Sequence, residues 1–143
     1  MIHNKEDLLK NKDDIKAWLE QYDIEKYTIN EDMTVDVDQD IILTNRNITN
    51  IMVQFGKING FFLCNKTGLL SLIGCAHTIL GDFDCSDNLL RSLIGGPKYV
   101  GRNFNCSDTY LKSLEGCPII INGNFYCEQN QLITLEYSPL EVE

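Results

Sequence analysis

Apolar side chains recur in this chain at a fixed interval. Phe62, Phe83, Phe104 and Phe125 stand 21 residues apart, and Cys64, Cys85, Cys106 and Cys127 follow two positions later. Leu69, Leu90, Leu111 and Leu132 make a third column, and Leu72, Leu93, Leu114 and Leu135 a fourth. Ile58, Ile79, Val100, Ile121 and Val142 make a fifth. Upstream, Ile41, Leu43, Ile48 and Ile51 continue the first four columns with aliphatic substitutes, and Val37 falls on the fifth. Self-similarity at a period between 20 and 50 residues marks a solenoid, in which each unit is one coil stacked on the next.

Within one unit, Gly81 to Val100, the alternation Phe83-x-Cys85 predicts a short strand whose odd members point inward. Asn88 breaks the alternation, and Leu90 and Leu93 bring the chain back to the core. Gly74, Gly95 and Gly116 mark one bend, and Pro97, Pro118 and Pro139 the next. Ser71, Ser92, Ser113 and Thr134 are expected to stack as a hydroxyl ladder bonding to backbone. Each coil buries about five side chains, worth roughly 1.5–3 kcal/mol apiece. At a strand spacing of about 4.8 Å, five coils make a rod of roughly 24 Å.

The pattern differs before residue 37. Leu8, Ile15, Trp18, Leu19 and Tyr22 share one face at helical spacing, so Asn4 to Tyr22 reads as helix. Asn4 is its expected N-cap, with Glu6 and Asp7 in the first turn where the helix dipole favours them. Asn11, Asp13 and Asp14 are poor helix formers, which leaves two short helices meeting near Lys12 as the alternative. Tyr27/Ile29 and Val35/Val37 then flank a polar turn, as in a hairpin. The chain therefore reads as one mainly β structural unit. Residues 1–36 form an N-terminal helical and hairpin cap, and residues 37–143 a β-solenoid of about five coils.

Phe83-x-Cys85-x-x-Asn88-x-Leu90-x-x-Leu93 resembles the L-x-L-x-x-N-x-L-x-x-L core of leucine-rich repeats. It is most similar to short repeat proteins of bacteria and bacteriophages with a GxFxCxxNxLxSLxGxP pattern. The likeness covers residues 37–142. It departs at Arg46, Thr67 and Thr109, which replace the Asn kept at Asn88 and Asn130. The aliphatic before each Phe lies four residues upstream rather than three, and Val53 and Phe55 stand in coil one where later coils have Gly and Pro. The resemblance implies a leucine-rich-repeat-like solenoid that binds protein on its open strand face. For a phage-encoded chain it implies an inhibitor or decoy of a host defence protein, acting in the host cytoplasm.

Composition narrows the function classes. The net charge is −9, with 12 acidic and 5 basic side chains in residues 1–40, against 9 and 7 in residues 41–143. Phosphate binding needs clustered Lys and Arg, so no nucleic-acid partner is expected. No apolar run follows Met1, and no stretch nears the roughly 18 apolar residues of a span, which predicts a cytoplasmic chain with no membrane partner. The six cysteines occupy repeat columns, Cys75 and Cys117 sharing one with Gln54 and Gly96, and none has CxxC spacing or a His beside it. They read as reduced core residues, with no metal site. Asp36, Asp38 and Asp40 alternate on one strand face but lack the Gly and Glu of a calcium loop: position 41 is Ile and position 47 is Asn. His3 and His77 fall outside the repeat, and no nucleophile–base motif or phosphate loop occurs. No enzymatic activity and no cofactor are expected.

The alternation also identifies the outward strand face. Along it lie Asp40, Ile42 and Thr44; Phe61, Leu63 and Asn65; Asp82, Asp84 and Ser86; Asn103, Asn105 and Ser107; Asn124, Tyr126 and Glu128. Ile42, Phe61 and Leu63 form a candidate apolar contact patch, with Tyr126 at the far end, unless the hairpin folds over Phe61 and Leu63. The expected protein-binding residues are Ile42, Phe61, Leu63, Asp82, Asp84, Asn103, Asn105 and Tyr126. The stretch Leu135 to Glu143 completes a coil with no capping helix; either Tyr137, Glu141 and Glu143 blunt that end, or its edge pairs with another chain, a homodimer through the last coil being one such arrangement. A noncatalytic protein-binding module is the leading reading, a self-associating assembly protein the second, and an acidic nucleic-acid mimic the third.

Overall fold

The computed structural model describes residues 4–143. A short 3-10 turn, Lys5–Asp7, precedes α1, Lys12–Gln21. The hairpin strands are β1, Tyr27–Ile29, and β2, Thr34–Val37, paired antiparallel. The solenoid strands follow in two alternating sets. One set is β4 (Gln54–Ile58), β6 (Thr78–Ile79), β8 (Tyr99–Val100), β10 (Ile120–Ile121) and β12 (Glu141–Val142). The other is β3 (Ile41–Ile42), β5 (Phe62–Leu63), β7 (Phe83–Asp84), β9 (Phe104–Asn105) and β11 (Phe125–Tyr126). The first sheet runs β1-β2-β4-β6-β8-β10-β12, and the second runs β3-β5-β7-β9-β11.

Like residues pair with like. Ile41 is opposite Phe62, Phe62 opposite Phe83, Phe83 opposite Phe104 and Phe104 opposite Phe125. In the first sheet the fifth column runs Val37, Ile58, Ile79, Val100, Ile121, Val142. The 21-residue spacing is therefore one turn of a parallel β-solenoid. The one irregularity in register lies between Val35 and Val37, where β4 is longer than its counterparts. Coil one has no glycine bend at Val53, so its chain stays extended. Gly56 sits where a Cβ would meet Asp36 Oδ1 at 2.4 Å, and that same oxygen accepts the Lys57 N–H at 2.8 Å.

The columns form the core. Phe62, Phe83 and Phe104 are fully buried, and their rings continue to Phe125 with centroids 5.4–5.7 Å apart. Cys64, Cys85 and Cys106 lie buried beside them. Burial pushes these thiols well above their ordinary pKa and holds them neutral. All six cysteines are free thiols.

The departures from a strict Asn column turn out to be complementary. Buried Asn88 Oδ1 accepts the N–H groups of Thr67, Gly68 and Leu69, all in the coil before it, and the Thr67 hydroxyl. Its Nδ2 donates to the carbonyls of Cys64 and Cys85. Asn130 repeats this for Thr109 and Leu111, donating to Cys106 and Cys127. Asparagine and threonine thus alternate, each Asn serving the Thr coil before it. Arg46 is diverted to the cap: it pairs with Asp23, donates to Gln21 O at 3.2 Å and lies over the Tyr22 ring.

One sequence expectation needs correction. The continuous helix from Asn4 does not form. Asn4 caps only the 3-10 turn, the chain is extended at Leu8, and Asn11 opens α1 by accepting from Asp13 N–H and Asp14 N–H. The two-element alternative matches this arrangement. The hydroxyl column does bond to backbone as expected: Ser71, Ser92, Ser113 and Thr134 each accept the N–H two residues ahead in their own turn. The hydroxyl reaches its own turn before it can reach the next coil.

Candidate functional site

The outward face of the second sheet carries the expected contact residues in two parallel columns. Ile42 on β3 lies directly opposite Leu63 on β5, and Leu63 opposite Asp84 on β7. Asp84 is followed by Asn105, and Asn105 by Tyr126. Ile42 is 54% exposed, whereas Leu63 and Phe61 are half-buried. Tyr126 is exposed too, but Asp84 and Asn105 separate it from Leu63, so the apolar residues are not one continuous patch. The hairpin does not lie across this face as a strand. It extends the other sheet at the end of the stack.

The polar members of the face are partly occupied by the backbone. Asp40 Oδ1 accepts the Phe61 N–H at 3.0 Å, Asp82 Oδ1 the Asn103 N–H at 2.9 Å, and Asn103 Oδ1 the Asn124 N–H at 2.9 Å. This column therefore latches each coil to the next through one side-chain oxygen. Phe61 interrupts it, having no acceptor to offer. In the neighbouring column Asp84 Oδ1 accepts from the Ser86 N–H and hydroxyl, and Asn105 Oδ1 from the Ser107 N–H. These are Asx-type turns that end each strand. Asp82, Asp84, Asn103 and Asn105 thus each have a structural occupation through one side-chain oxygen.

Charge is one-sided here. Among the outward positions stand Asp40, Asp82, Asp84 and Glu128, and no Lys or Arg. A groove of about 420 Å³ adjoins Ile42, walled by Tyr22, Gln39, Asp40, Thr44 and Arg46. The sequence reading missed this wall. Gln39 builds it by accepting from Glu25 N–H and Lys26 N–H and donating to Asp23 O, which ties the cap to coil one. Its signal in the sequence was Arg46 in a column of Asn and Thr. A second depression of about 310 Å³ lies beside Phe61, between Asp40, Leu80 and Arg102.

No histidine lies on this face among the described residues. His77 is exposed on a turn, its Nδ1 3.3 Å from Thr78 Oγ1, and His3 lies outside the described residues. Among the described residues no three His, Cys, Asp or Glu side chains converge as a metal-ligand set. No helix of the described residues is long and apolar enough to cross a membrane. Comparison with family models, curated proteins and solved structures finds no match to this chain.

Proposed function

We propose that this protein is a noncatalytic protein-binding module that engages its partner through the outward face of the second sheet. The observation that carries this reading is the exposure of Ile42 beside Leu63 at the N-terminal end of a face whose other outward positions are mostly small and polar. A large aliphatic side chain on a surface strand loses contact with water only when a partner covers it. Ile42, Phe61 and Leu63 supply the apolar anchor region, bordered by the groove under Tyr22 and Arg46. Asp82, Asp84, Asn103 and Asn105 line the polar middle of the face, and Tyr126 offers a second anchor at the far end. The carboxylates disfavour phosphate and favour a partner with Lys or Arg around an apolar side chain.

The resemblance to leucine-rich-repeat proteins of bacteria and phages supports the narrower reading of an inhibitor or decoy of a host defence protein, working in the host cytoplasm. Affinity capture from that cytoplasm with the wild-type chain and with Ile42→Ser/Leu63→Ser tests the reading. The expected result is a protein retained by wild type and lost by the variant, with unchanged circular dichroism. A partner held equally by both would place the contact elsewhere.

A further inference from the structure

Every coil after the first has its outward carbonyls taken by the coil before it. Leu63 O, Asp84 O, Asn105 O and Tyr126 O accept the N–H groups of Leu43, Cys64, Cys85 and Cys106 at 2.7–2.9 Å. Asn65 O, Ser86 O, Ser107 O and Glu128 O accept those of Asn45, Lys66, Asp87 and Asp108 at 3.1–3.3 Å. In coil one the matching carbonyls belong to Ile42 and Thr44. The chain ahead of them folds into the hairpin, which joins the first sheet, so β3 pairs only with β5 and ends the second. Ile41 and Leu43 turn their N–H groups to Phe61 O and Leu63 O, and successive strand residues face opposite edges. Ile42 therefore points its N–H and C=O at an edge where no strand lies.

The groove of about 420 Å³ runs between these residues and the cap, with Asp40, Ile42 and Thr44 from coil one and Tyr22 and Asp23 from the cap among its lining. Side chains fix its shape. Gln39 Nε2 already serves Asp40 O at 3.2 Å, and Arg46 is held to Gln21 O and Asp23. The backbone groups of Ile42 and Thr44 lie between those two fixed points. We propose that this groove takes an extended segment of the partner protein as one added strand beside β3, parallel to it like the rest of the ladder. The proposal rests on the protein-binding reading above and specifies what the face near Ile42 holds.

The ladder dictates the chemistry of that segment. Main-chain hydrogen bonds supply affinity in strand addition, and alternate side chains supply specificity. The residue beside Ile42 is aliphatic, as Leu63 is on the other side. The residues before and after it are small, because Ile15, Trp18 and Leu19 of α1 already fill this end of the core. A Lys or Arg stands beside Asp40, whose carboxylate sets the sign of the groove once Arg46 and Asp23 pair with each other.

The probe is the peptide Ac-Lys-Ala-Val-Ala-Thr-NH2, set with its Lys beside Asp40, its Val beside Ile42 and its Thr beside Thr44. Titrated into the isotope-labelled full chain, it is expected to shift the Ile42 and Thr44 amide resonances and to slow exchange of the Ile42 N–H. Methylating the nitrogen of the second Ala removes the donor aimed at Ile42 O and should weaken binding about tenfold. Methylating the Val nitrogen, which points to the far edge of the added strand, should leave the affinity unchanged. Absent shifts at Ile42 and Thr44, or equal losses from the two methylated peptides, would overturn the added strand. The wider reading fails separately, when a captured protein is held equally by Ile42→Ser/Leu63→Ser. A captured protein lost by that variant yet undisturbed by saturating peptide would keep the face and overturn the strand.

Discussion

At the N-terminal end of the stack, Ile15, Trp18 and Leu19 of α1 are buried, with the Trp18 ring centroid 6.1 Å from that of Phe55. Leu9 N–H donates to Met52 O, and Gln39 and Arg46 bind the cap to coil one. At the C-terminal end, Leu135 and Val142 of the core columns are exposed, and Phe125, Cys127 and Leu132 are only half-buried against the core. Identical residue types thus have opposite environments depending only on whether another layer lies against them. In a stack where each coil touches only its neighbours, stability is a sum of coil and interface terms, and an end coil lacks one interface. The capped end should unfold with the body, and coil five should fray first.

The sharpest test uses one substitution at two heights of one column. Leu114→Ala removes a fully buried side chain and should cost about 2–5 kcal/mol. Leu135→Ala should stay within about 0.5 kcal/mol of wild type. Urea unfolding measures both. Equal losses would mean that coil five is covered in solution.

The asparagine column gives the next contrast. Asn88→Ala leaves the Cys64 and Cys85 carbonyls and three N–H groups without their partner in a buried site, a loss of about 3 kcal/mol. Asn130→Ala, half-buried in coil five, admits water to the same groups and should cost about 1 kcal/mol. Matching losses in the same unfolding assay would erase the proposed gradient along the stack.

These residues also show what the sequence could and could not disclose. The columns were legible because a 21-residue spacing with Phe over Phe and Cys over Cys has one structural solution, a parallel register equal to the period. Alternation placed most of the outward face, but Ser86 and Ser107, expected outward, are buried where the Asx-type turns end the strands. Thr67 and Thr109 read as flaws, because their role depends on an Asn one full coil away. The break at Leu8 was ambiguous because Asn4 and Asn11 are both good caps and only docking on Met52 and Phe55 chooses between them. The placement of Phe61 and Leu63 was open because it depends on which sheet the hairpin joins, a choice made by pairing and not by composition. A second column of left-handed residues escaped notice: Asn45, Lys66, Asp87, Asp108 and Gln129 have φ between 50° and 61°. The Asn and Asp in it were the signal.

Backbone strain separates the ends more mildly. Gly74, Gly95 and Gly116 bend the chain at φ 90–95°, and at Gly116 a Cβ would meet Leu93 C and Ile94 N at 2.4 Å. In coil five Tyr137 takes this place at φ 66°. The open face leaves room for its side chain but does not remove the left-handed penalty. Tyr137→Gly should therefore stabilise the monomer by up to about 1 kcal/mol. A small rise in the urea midpoint with an unchanged slope would show it, and a fall would mean that the ring is packed.

The smallest effect concerns protons at the open end. Glu128 has its pKa lowered, first by its own backbone N–H and then by the Ser107 hydroxyl, which donates to Glu128 Oε2 at 2.7 Å. A carboxyl depressed on folding stabilises the fold above its unfolded pKa, and that contribution is lost as pH falls through the lower, folded value. Coil five should accordingly loosen at the acid end and not at neutral pH. Ser107→Ala removes the second donor, so the Glu128 titration followed by carboxyl NMR should move up toward the ordinary value. The backbone donor remains, so the shift should be partial. A titration that does not move would mean that the Ser107 hydroxyl points elsewhere in solution, and that coil five is held to coil four by its strands, the Asn103 and Asn130 side chains and the Phe104–Phe125 stack.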